Sequence, residues 1–126
     1  MFRDAPWLLL AAQGVIGAVW IFHGLYSKLL NGIPRHRQIV ARILGERHAG
    51  LATAVIGIGE IIVGLWALSG WERVLCASAQ TAALVAMNTI EIAMAADLLI
   101  SAVGMVLLNG TFLTVIWTWA LAARTP

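Results

Sequence analysis

Apolar residues run almost unbroken through four stretches, residues 7–30, 49–69, 73–95 and 98–123, separated by short polar segments. Each is about as long as the ~20 residues an α-helix needs to cross a bilayer. Between the first two stretches the pattern changes. Over residues 34–44, Ile39, Val40, Ile43 and Leu44 fall on one helical face, while Arg35, Gln38 and Arg42 recur three and four apart on the other. That spacing predicts a helix lying in the headgroup plane. Pro34 suits its first position and Gly45 its stop, just as Asn31-Gly32 and Gly70 suit the ends of the first two spans. The expected fold is all-α: a single membrane-spanning four-helix bundle with a short interfacial amphipathic helix between spans one and two. Connections of a few residues after spans two and three make their helices antiparallel neighbours.

Composition sharpens the environment. The 126 residues are 61% hydrophobic and 11% charged, with a mean hydropathy of +0.90, against about 25% charged residues in an ordinary soluble domain. A soluble globular domain is excluded. A single cysteine, Cys76, forms no internal disulfide or redox pair, and only His23 of the three histidines lies in an apolar run, which argues against a haem held by two imidazoles. Five of the eight basic residues lie between Lys28 and Arg47, beside membrane segments. Their position favours lipid headgroups over nucleic acid. The remaining three, Arg3, Arg73 and Arg124, fall on the other side, so the positive-inside bias puts the first loop in the cytoplasm. Trp7, Trp66, Trp71, Trp117 and Trp119 fall near span ends on that other side and read as an interfacial belt or as packing residues. The start of the chain has no basic n-region and no small-residue cleavage site after it, so the expectation is an uncleaved integral protein of a bacterial cytoplasmic membrane.

Ionisable groups inside a membrane are functional candidates by default. Glu60 sits at the middle of span two, where it cannot snorkel out and must be protonated or paired. Gly57 and Gly64 lie on its face, so it points at protein. Asn109, at similar depth in span four, is its expected hydrogen-bond partner. His23 and Asn88 form a second layer toward the first loop, His23 sharing a face with Tyr26 and Ser27. Near that membrane surface Lys28 and Glu91 are the expected ion pair, with Arg35 and Arg42 as docking groups for lipid or a partner. The ligand or proton-binding candidates are therefore Glu60, His23, Asn109, Asn88 and Tyr26. The plain alternative is that these side chains only tie the helices together. No catalytic or metal-ligating set stands out.

The order W-x-x-H-G-x-x-x-K-L-L from Trp20 to Leu30, an arginine-bearing amphipathic segment ending at Gly45, and G-x-G-E-x-x-x-G-L from Gly57 to Leu65 resembles the DoxX-like family of small four-helix membrane proteins. Relatives in that family include a subunit linked to thiosulfate and quinone oxidation, a membrane partner of a superoxide dismutase and a sulfurtransferase, and receptor-assembly chaperones. The resemblance singles out His23, Gly24, Lys28, Gly59 and Glu60 without assigning them a catalytic role. It implies an accessory subunit, not an enzyme on its own, with no intrinsic cofactor. Such a subunit would interact with quinone or bound lipid, or with a redox or sulfur-handling membrane partner. Two other functions fit the residues: an assembly role without ligand chemistry, in which Glu60→Gln would be tolerated, and proton-coupled transport through Glu60. Gly14 and Gly17 would permit a homo-oligomer.

Overall fold

A computed structural model describes residues 6–122. Helix α1 (Pro6–Ile21) runs without a break into a π-helical stretch, Phe22–Leu29, and the two make the first span. Then come α2 (Pro34–Leu44), α3 (Glu46–Ser69), α4 (Arg73–Ala95), a single 3-10 turn at Ala96–Leu98, and α5 (Ala102–Ala122). Four of these segments are long and apolar enough to cross a membrane, and no strand occurs among the described residues. The helix stops are where the backbone turns left-handed: Asn31 at φ 52°, Gly45 at φ 93° and Gly70 at φ 71°. The fourth span begins later than its expected start at residue 98. Asp97 lies in the 3-10 turn, and Ser101 opens α5 by accepting the Gly104 N–H at 2.9 Å through its hydroxyl. The expected end of this span, Ala123, lies outside the described residues.

Lipid is as apolar as leucine, so helices in a bilayer are held by close packing and hydrogen bonds. The first span and α3 are the closest pair. Gly17 and Gly24 face Gly64 and Gly57, one helix turned against the other. A Cβ on Gly57 would stand 2.8 Å from the Gly24 carbonyl oxygen, and one on Gly64 equally close to that of Gly17. Gly17 is therefore used inside the bundle, whereas Gly14 meets nothing nearby. Helix α2 lies along α3 with Ile39 and Val40 buried.

Helices α4 and α5 form the second hairpin, joined by the Trp117 indole N–H donating to Thr81 Oγ1 at 2.8 Å. The two hairpins meet at the end carrying the α3–α4 corner, where Ile16, Ala67, Cys76, Ala77, Ile116 and Trp119 form the core. Trp119, expected at the membrane interface or in packing, is fully buried there, while Trp7 and Trp71 are exposed. Trp20 donates to Gln80 Oε1 at 2.6 Å, and Gln80 donates on to Cys76 Sγ at 3.2 Å. Toward the first loop the hairpins part, and α2 lies across the gap.

Candidate functional site

The gap is a cavity of about 680 Å³, walled by all five helices. Its polar lining comprises His23 and Lys28 from the π-helical stretch, Arg35 and His36 from α2, Glu60 from α3, Glu91 from α4, and Ser101 and Asn109 from the α5 side. The rest is apolar, with Trp20, Leu84, Met87 and Phe112 at the deep end.

Helix winding selects which side chains face inward. An α-helix advances ~100° per residue, which sets Lys28 ~140° from His23 and brings Tyr26 to ~60°. Five-residue hydrogen bonding widens the turn to about 4.4 residues, or ~82° each. Lys28 then lies ~50° from His23 and Tyr26 swings to ~115°. The stretch ends with Leu30 N–H donating to Leu25 O at 2.9 Å. In consequence Lys28 enters the cavity wall and Tyr26 does not: Tyr26 is exposed, stacked on Phe22 at 5.2 Å and packed over Gly32. The shared face expected for His23 and Tyr26 is thus lost to the π winding.

The Lys28 ammonium reaches Glu60. Nζ lies 2.6 Å from Oε1, and both side chains are only 7% exposed. This replaces two expected pairings. Lys28 pairs with Glu60, on the span packed directly against its own, in place of Glu91, which stands half-buried in the cavity wall. Asn109, expected on Glu60, donates instead to Asn88 Oδ1 at 2.9 Å, and Asn88 donates to Leu84 O at 2.6 Å. A lysine is the stronger partner for a buried carboxylate, because it cancels the charge as well as filling a lone pair.

His36 was not singled out from the sequence. It sits three and four residues before Ile39 and Val40, on the buried face of α2, and that register was the available signal. Its ring stacks on His23 with centroids 5.8 Å apart. Burial, then the charges of Lys28, His23 and Arg35, push its pKa down to about 4, so at neutral pH it is an uncharged imidazole. His36 Nδ1, Ser27 Oγ and Thr53 Oγ1 are buried without a protein hydrogen-bond partner. Unpartnered buried polar atoms of this kind mark places where water or ligand atoms are accommodated. Arg42 lies outside the cavity lining and pairs with Asp97 at 2.6 Å. Among the described residues no three His, Cys, Asp or Glu side chains converge to hold a metal.

The model of the DoxX-like family matches residues 17–117, which include both polar motifs and every residue of the cavity. The chain belongs to the DoxX-like family. No curated protein and no solved structure matches it. Family and helices together make it a small integral membrane protein.

Proposed function

We propose that this DoxX-like protein is an accessory membrane subunit whose cavity binds an uncharged, oxygen-bearing headgroup of a membrane-dissolved molecule, of the quinone class. The observation that carries the reading is the charge balance of the lining. Its four formally charged side chains, Lys28, Arg35, Glu60 and Glu91, sum to zero, and His36 is neutral. An anionic lipid head would bring an uncompensated negative charge into this space, and a cationic solute a positive one. A quinone brings neither. Its carbonyl oxygens would accept from Lys28, which has three donors and is held on one side by Glu60. The His23 and His36 imidazoles stand at the same end, and the apolar walls suit a ring and tail. The transport alternative gains less from this geometry, since a carboxylate already neutralised by Lys28 is poorly placed to trade its proton for a cation.

Trp20 lines the cavity, and its fluorescence provides the test. In the reconstituted protein, decylubiquinone should quench tryptophan emission saturably. Trp20→Phe should remove the saturable part, and the combined Lys28→Met, Glu60→Met change, which leaves no unpaired buried charge, should weaken it. Quenching that rises linearly and is indifferent to both changes would overturn the reading.

A further inference from the structure

The cavity has a side opening, and the residues at its rim say what it opens onto. Ile100, Leu108 and Leu44 all line the cavity, yet they are 83, 71 and 52% exposed. The rim is therefore apolar, set between the C-terminal half of α2 and the first two turns of α5. Leu108 lies six residues into α5, ~9 Å along the helix axis from its start. An apolar rim at that depth faces acyl chains and not water. Helix α2 packs along α3 and touches α4 and the 3-10 turn, but it makes no extended packing with α5.

One polar contact spans the loop-side margin of this gap. Arg42 Nη1, on the α2 turn between the lining residues Ile39 and Ile43, lies 2.6 Å from Asp97 Oδ1, two residues before the lining residue Leu99. Both side chains are substantially exposed. An exposed ion pair is weak, so it opens readily on thermal motion and re-forms. Leu99, immediately after the 3-10 turn, is extended backbone between that turn and α5, which is where a small rotation of the corner would be absorbed.

We infer that ligand reaches the cavity sideways from the bilayer, between α2 and α5, and that the Arg42–Asp97 pair is the latch of this portal. The inference rests on the cavity being a binding site for a membrane-dissolved molecule. The latch acts on the path and not on the bound state, so it governs both rates without moving the equilibrium. Opening it speeds arrival and departure together, and locking it slows both.

The experiment follows decylubiquinone binding by stopped-flow quenching of Trp20 in proteoliposomes. Arg42→Ala should raise the association and dissociation rates severalfold in parallel, leaving Kd unchanged. The double exchange Arg42→Asp with Asp97→Arg should return both toward the original values. A double cysteine, Arg42→Cys with Asp97→Cys in a Cys76→Ala background, joined by a short bis-methanethiosulfonate cross-linker that restores the reach of the arginine, should slow both rates and release them on reduction. The reduced form of the same protein controls for folding. Rates that ignore the cross-link and the Arg42→Ala change, while saturable Trp20-dependent quenching persists, would sink the latch and leave the binding site standing. An unmodified protein without saturable quenching would remove the binding site, and the portal with it.

Discussion

Lys28 and Glu60, thirty-two positions apart in the chain and on different spans, form a buried ion pair with Nζ 2.6 Å from Oε1. The pair sits beside the Gly24–Gly57 contact, where a Cβ on Gly57 would also meet Lys28 Cβ at 3.0 Å. Backbone proximity brings the two charges together. Glu60→Gln would leave the buried Lys28 ammonium without its contact partner, with only Glu91 across the cavity as a counter-charge, so it should destabilise the bundle by about 3 kcal/mol, and Lys28→Met should cost a similar amount. The combined Lys28→Met, Glu60→Met protein should recover most of the loss. A double-mutant cycle read by thermal unfolding in detergent checks this, and additive losses would show that the two charges do not interact. Tolerance of Glu60→Gln, the sequence-based expectation for an assembly role, is thus not what the structure predicts even for that role.

The glycines give a contrast within one motif. Gly57 has no space for a side chain, while Gly59, two residues on, meets nothing within 4 Å. Gly57→Ala should lower stability by about 1–3 kcal/mol through overpacking. Gly59→Ala should raise it by up to ~1 kcal/mol, because alanine is the better helix former at a site that costs no space. Melting temperatures of the two single variants, measured in the same detergent, should move in opposite directions.

Trp20 and Gln80 make the polar contact between the two hairpins near the deep end of the cavity. Gln80→Leu would leave the buried indole N–H without an acceptor and should cost about 1–3 kcal/mol. Pairing it with Trp20→Phe should remove most of that penalty. Unfolding midpoints of the two variants provide the check.

His36 is held neutral in the fold, with a pKa lowered from 6.5 to about 4. Between those values the unfolded chain binds the proton that the folded chain refuses. Stability contributed by this site is therefore complete above about pH 6.5, falls as the pH is lowered through that window and levels off near pH 4. His36→Gln should flatten the slope of stability against pH over this range. Histidine ring resonances in the labelled protein should show one group still unprotonated at pH 5, and its protonation near pH 6.5 would contradict the assignment.

The length and apolarity of four stretches, the amphipathic spacing of residues 34–44 and the stops at Asn31-Gly32, Gly45 and Gly70 were enough to set out the membrane bundle and its interfacial helix. These are local properties: span length is fixed by bilayer thickness and helix ends by backbone sterics. Glu60 was legible too, because a carboxyl at mid-span needs a partner wherever the chain goes. The partner itself was not. Lys28 faces Glu60 only because the backbone widens into a π-helix after Ile21 and because paired glycines let α1 and α3 touch. A periodicity of 3.6 residues points Lys28 elsewhere and puts Tyr26 in its place. The Arg42–Asp97 latch and the stacking of His36 on His23 likewise depend on how α2 crosses the gap. Sequence determined the environment and the elements; helix winding and interhelical distance decided which charges meet, since both arise from packing between segments far apart in the chain.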